Sequence, residues 1–160
     1  GANGTYMTDL TLSAKSLDGF VVAPADDRLG DLNFNSVTFA SPELRANMFA
    51  NYNMDQHNAR LTARYVSGIT DERVYANLTA YETGTQTPIG EALNGQEIDA
   101  SLIFDATYLF DITEWLRLSA TVTNILDEDP PFVRAEFGYD PRLGVDALGR
   151  TFELGLKATF

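Results

Sequence analysis

The chain has 160 residues, no cysteine and a single histidine, with 23 acidic against 11 basic side chains and a formal net charge of −12. That length suffices for one domain with a sizeable core. The missing thiols exclude disulfides and thiolate metal sites, one histidine excludes a His-based metal cluster, and the acidic balance argues against a nucleic-acid partner.

The longest apolar runs are only a few residues, too short for a transmembrane helix, although barrel strands hide their hydrophobicity by alternation. Gly1 opens the chain and nothing like a signal peptide precedes the structured part, so a fragment or processed product is expected. Six segments alternate with period two, at about 4–17, 43–53, 57–68, 98–111, 114–126 and 150–160. The first sets Tyr6, Leu10, Leu12 and Ala14 against Asp9, Thr11, Ser13 and Lys15. Its successor, 18–42, reads as a long loop with solvated acids at Asp26-Asp27.

In the second segment Leu44, Ala46, Met48, Ala50 and Tyr52 oppose Arg45, Asn47 and Asn51, with Phe49 as the exception. Ser41-Pro42-Glu43 followed by Leu44, Met48 and Tyr52 also fits a helix start, but the strand reading is preferred. A short turn at 54–56 leads to the third segment, with Ala59, Leu61, Ala63 and Tyr65 against Asn58, Arg60, Thr62 and Arg64. Mixed loop structure is expected over 69–97, where 71–82 could form a short helix capped by Asp71. Asn77-Leu78-Thr79 matches a glycosylation sequon, read as accidental.

The fourth segment sets Ile98, Ala100, Leu102, Phe104, Ala106, Tyr108 and Phe110 against Asp99, Ser101, Asp105 and Thr107; Ile103 and Leu109 break its polar face. After a short link at 112–113 come Leu116, Leu118, Ala120 and Val122 against Arg117, Ser119, Thr121 and Thr123. The long connection 127–149 then leads to Phe152, Leu154, Leu156, Ala158 and Phe160 against Thr151, Glu153, Gly155, Lys157 and Thr159.

Asp9, Lys15, Arg45, Arg60, Arg64, Asp99, Asp105, Arg117, Glu153 and Lys157 all fall opposite the apolar set. A soluble sheet would give the same alternation with its apolar face on a core. A sandwich, however, needs a second layer of comparable area, and all six segments look committed to one sheet. Hydrocarbon is the other apolar cover. Strands of about 10–13 residues tilted roughly 40° would cross the ~25 Å band of an outer membrane. Long connections alternate with short ones, as in an up-and-down barrel. Tyr6, Tyr52, Tyr108, Phe110, Trp115 and Phe160 gather at the short-turn end, where interfacial rings are expected, Trp115 with polar-face parity.

The last third carries Val122-Thr123-Asn124-Ile125-Leu126-Asp127-Glu128-Asp129-Pro130-Pro131-Phe132, Gly138-Tyr139-Asp140-Pro141-Arg142, Gly149-Arg150-Thr151-Phe152-Glu153-Leu154-Gly155-Leu156 and terminal Phe160. In that order these resemble the C-terminus of TonB-dependent outer-membrane receptors. A weaker similarity runs upstream through Arg28-Leu29-Gly30-Asp31-Leu32-Asn33-Phe34 and Ala59-Arg60-Leu61-Thr62-Ala63-Arg64-Tyr65.

The resemblance implies an all-β, antiparallel up-and-down transmembrane barrel of about 22 strands, of which residues 1–160 supply the last six. An N-terminal plug and the earlier strands are absent from the chain. It implies a place in the bacterial outer membrane and import of a scarce nutrient, such as a siderophore or glycan, with TonB-derived energy. Expected partners are membrane lipid, the rest of the barrel and plug, the TonB complex through the missing part, and the barrel-assembly machinery. That machinery would read Phe160 with Phe152. The rival reading is a soluble β-sheet binding or adhesion module whose loops 18–42 or 69–97 cover the apolar face.

No enzyme, cofactor or metal site is expected. Asp99 and Asp105 are ~20 Å apart along a strand, too far for a glycosidase pair, and Asp127-Glu128-Asp129 lacks the pattern of a calcium loop. His57 reads as a solvated residue beside a turn. Phe132, Arg134, Phe137, Tyr139 and Arg142 are the ligand candidates, offering stacking and anion pairing from an external loop. Arg45, Arg60, Arg64 and Arg117 could pair with acids of a plug or form a solvated wall.

Overall fold

The computed structural model describes all residues except 33–39, 73–78, 82–83, 85–87, 92–95, 134–137, 141–142, 144–146 and 160. In chain order the strands are β1 (Ala2–Tyr6), β2 (Thr11–Leu12), β3 (Lys15–Leu17), β4 (Phe20–Ala23), β5 (Asp26–Asp27), β6 (Asp31–Leu32), β7 (Leu44–Met54) and β8 (His57–Val66). There follow β9 (Ile69–Asp71), β10 (Thr79–Tyr81), β11 (Pro88–Glu91), β12 (Gln96–Ile98), β13 (Ser101–Thr113), β14 (Leu116–Thr123) and β15 (Thr151–Ala158). No α-helix occurs among the described residues, so the helical alternative at 41–52 gives way to β7.

Six strands form one antiparallel sheet in the order β1-β7-β8-β13-β14-β15. Each strand lies beside its predecessor in that sheet, which is the up-and-down arrangement that alternating short and long links require. Two-residue turns close β7–β8, with Met54 opposite His57, and β13–β14, with Thr113 opposite Leu116. In the first, Asp55 takes the left-handed conformation, which Asp tolerates better than branched residues do. Among the described residues, the outer edges of β1 and β15 have no strand partner.

Pairing aligns the apolar positions in rows. One row runs Ala50, Leu61, Ala106, Val122 and Phe152; the next runs Tyr52, Ala59, Tyr108, Ala120 and Leu154; the third runs Met54, His57, Phe110, Leu118 and Leu156. Strict period two therefore carries a single apolar face across five strands.

The first segment departs from expectation. Its sheet strand stops at Tyr6, and the run to Leu17 then pairs with its own return limb through Thr11–Asp27, Leu12–Asp26 and Leu17–Phe20. Asp9 and Lys15 thus leave the sheet, and part of the expected loop 18–42 is the second arm of a hairpin. Asp18 and Gly19 both have positive φ, the geometry of a two-residue type I′ turn that Asp-Gly adopts readily. The sequence alternation is genuine; only the partner changes.

The long connections build a second, smaller unit at one end of the sheet. β12, β9 and β6 pair there, β6 running parallel to β9. Leu32, Ala40, Ile69, Ile98, Ile103, Val133 and Leu143 form its apolar cluster. Ile103 lies on the polar parity of β13, so its break in the pattern is explained: its side chain closes the underside of this cap.

Candidate functional site

Three regions carry the candidate chemistry: the base of the last connection, the polar face, and the apolar face near the short turns. β14 ends where Asn124 turns left-handed. The buried Asn124 amide donates from Nδ2 to the Glu128 carbonyl at 2.8 Å, and its Oδ1 accepts from the Glu128 N–H at 3.0 Å. A five-residue ring results. Its neighbour Asp127 accepts from the Arg150 N–H at 2.7 Å and faces Gly149, where a Cβ would lie 2.9 Å from the carboxylate. Gly149 is also left-handed. The acidic run Asp127–Asp129 thus contains a structural tie between the two ends of the connection.

Of the expected ligand candidates, Phe132 is exposed and its ring lies close to Gly138, while Tyr139 is half-buried. The N–H of Val133 donates to Gly138 O at 2.9 Å and folds this part of the loop back on itself. Arg134, Phe137 and Arg142 lie outside the described residues, as does Phe160. Phe152 stands opposite Val122 on the apolar face, exposed.

The polar face pairs most of its own cations. Arg64 donates to Asp105 from Nε at 2.8 Å and from Nη2 at 3.2 Å, and the Asn124 N–H donates to the same carboxylate at 3.0 Å. Arg117 and Asp111 form a second two-point pair, with Nη2 to Oδ2 at 2.9 Å. Arg60 stacks on Phe49, its guanidinium carbon 4.2 Å from the ring centroid. That contact explains why Phe49 tolerates the polar face. The arginines read as free for a plug or for solvent are therefore largely engaged within the wall. Asp99 precedes β13 and does not join this network through any described bond.

His57 is corrected as well. It is half-buried on the apolar face, hydrogen-bonded through Nδ1 to Tyr108 Oη and stacked on Phe110 at 4.8 Å between centroids. Its parity with Ala59, Leu61 and Ala63 was the available signal. Trp115 sits in the β13–β14 turn and is exposed.

Two of the depressions among the described residues bear on the site. One of about 390 Å³ opens on the apolar face between Ala59, Leu61, Ala106, Tyr108, Ala120 and Val122. The other, about 430 Å³, lies at the cap and is lined by Asp31, Glu43, Glu97 and Asp99 with Thr70. Burial and the nearby Glu72 raise the Asp31 carboxyl above the ordinary carboxylate range. No group of three or more His, Asp or Glu side chains is placed to hold a metal ion among the described residues.

No family model matches the chain, and no curated protein or solved structure matches it.

Proposed function

We propose that this chain is a wall segment of a TonB-dependent outer-membrane receptor, contributing six strands and their external loops to a larger antiparallel barrel that imports a scarce nutrient. The observation that carries the reading is the uncovered apolar face. Phe152, Leu154 and Leu156 are 73%, 79% and 67% exposed, and Met48, Tyr52 and Leu61 are open on β7 and β8 of the same sheet. Leu116 and Leu118 are only half-buried. A folded chain leaves such a face open in water only at a large cost in free energy; hydrocarbon removes that cost.

The remaining geometry fits the same medium. β7, β8 and β13 have 11, 10 and 13 residues. At a tilt of roughly 40° these three rise ~25–33 Å, enough for the apolar band, while β14 and β15, with 8 residues each, rise ~20 Å and β1, with 5, ~13 Å. His57, Tyr108, Phe110 and Tyr52 mark the short-turn end as an interfacial belt, with the imidazole and phenol satisfying each other. The paired charges of the opposite face suit a lumen. The cap packs on that side through Ile103, so it narrows a mouth. A soluble module would need the cap on the apolar face instead.

In this reading lipid, the rest of the barrel, a plug and its TonB partner, and the assembly machinery are the partners. Catalysis has no part. Leu61 lies midway along β8, near the bilayer centre in this reading. Leu61→Arg should lower unfolding stability in liposomes by about 2–4 kcal/mol, Leu118→Arg by less because it sits at the belt, and Thr121→Arg least. Equal tolerance of all three, measured by urea unfolding of the complete barrel, would count against the wall assignment.

A further inference from the structure

The hairpin 10–28 is an exposed apolar feature that the wall reading does not use, as are Leu126, Phe132 and Leu148 of the last connection. From its base, where the Arg28 N–H donates to Leu10 O, to the Asp18-Gly19 turn it is eight residues long, ~26 Å at strand rise. Its tip holds Leu17, Phe20, Val21 and Val22, each more than 60% exposed. Leu17 and Phe20 oppose each other across the ladder, whose register shifts at Val22 between the Ser16–Val21 and Lys15–Ala23 pairs. Four adjacent exposed apolar side chains on a tight hairpin are not the scattered exposure of an ordinary surface.

Charge selects among covers for that tip. The long connections 18–42, 69–97 and 127–149 hold fifteen acidic and four basic side chains, a difference of −11 out of the chain's −12. They all leave the sheet at the same end as the hairpin. On the hairpin itself, Asp18 and Asp27 are exposed and Asp26 is half-exposed beside Arg28. Such a field repels anionic lipid headgroups, nucleic acid and the same end of a second copy, and attracts cationic surfaces.

We propose that the hairpin tip is a docking element for a protein partner that presents an apolar cleft rimmed by lysine and arginine. Leu17, Phe20 and Val22 enter the cleft, and Asp18, Asp26 and Asp27 meet its rim. The proposal rests on the wall reading only for placing this end outside the membrane.

The test uses the complete barrel protein in cells, with a photo-crosslinking phenylalanine at position 20 and a control at Asp55 on the opposite end. The captured protein is identified, purified and titrated against wild-type and variant barrels in zwitterionic nanodiscs. A position-20 adduct with a second protein is expected. Its binding should weaken at least tenfold for Phe20→Ser/Val22→Ser and about threefold for Asp26→Asn/Asp27→Asn, the latter with a flatter salt dependence. Adducts only with lipid, lipopolysaccharide or the barrel itself, no adduct at all, or a captured protein indifferent to both variants would overturn it. Membrane fractionation of the same variants tests the wall reading separately, because a barrel that inserts normally yet captures nothing fails this proposal alone.

Discussion

The sheet and the cap are built from the same chain but solve burial in opposite ways. The cap turns Leu32, Ile69, Ile98, Ile103, Val133 and Leu143 against one another and leaves each almost fully covered. The sheet keeps Leu61, Phe152, Leu154 and Leu156 on a face with no described protein above it. One region therefore holds its apolar side chains by self-packing. The other depends on what surrounds it. Their polar groups divide in the same way, since the sheet pairs charges across strands while the cap buries Asp71 and Asp140.

The sharpest way to separate the two regions is to remove matched methyl groups. Ile103→Ala leaves a cavity in the self-packed cluster and should cost about 2–4 kcal/mol in detergent and in bilayers alike. Leu61→Ala should cost about 1–2 kcal/mol in bilayers, where it loses contact with hydrocarbon, and less in short-chain detergent. Denaturant unfolding in both media measures the difference. Equal dependence on the medium for both variants would erase the distinction between the regions.

The junction between them is the Asn124 ring. Asn124→Ala removes two hydrogen bonds to Glu128 and puts a Cβ-bearing residue without a side-chain acceptor at φ +55°. A loss of about 2 kcal/mol is expected. Asn124→Gly relieves the backbone but not the lost bonds, so it should recover only part. Hydrogen exchange should show the Glu128 and Arg150 amides opening together, because Asp127 ties the second to the first. Unchanged protection at Arg150 would mean that the two ends of the connection are held independently.

The sheet was legible because alternation is a local code: parity alone orders the rows from Met48 to Leu156. The exceptions were not, since each depends on a partner distant in sequence. Phe49 needs Arg60 across the β7–β8 ladder, and Ile103 needs the cap. The hairpin shows the same limit, because residues 4–17 alternate whether they pair with β7 or with 20–27. Of the candidate site, Phe132 and Tyr139 could be found by residue type, but their different exposure follows from the fold-back at Val133 and Gly138. The tie at the base of the last connection had a weak signal: Asn124 and Asp127 closely follow a strand and are residue types that tolerate left-handed backbone.

Asp31 offers the smallest and most selective perturbation of the cap. Burial first, and Glu72 second, raise its carboxyl above 3.8, with Arg28 opposing them. The folded state therefore holds this proton more tightly than the unfolded chain does. That contribution is complete below the ordinary value of 3.8 and is lost as pH rises through the raised one. Asp31→Asn keeps the site uncharged at every pH, so at neutral pH it should protect the Thr70 N–H, which donates to Gly30 O at 2.7 Å beside it, slightly better than wild type. Below pH 3.8 the two should exchange alike. A variant less protected at neutral pH would show that the ionised carboxylate is held by Arg28 more strongly than burial and Glu72 oppose it, reversing the sign of the balance.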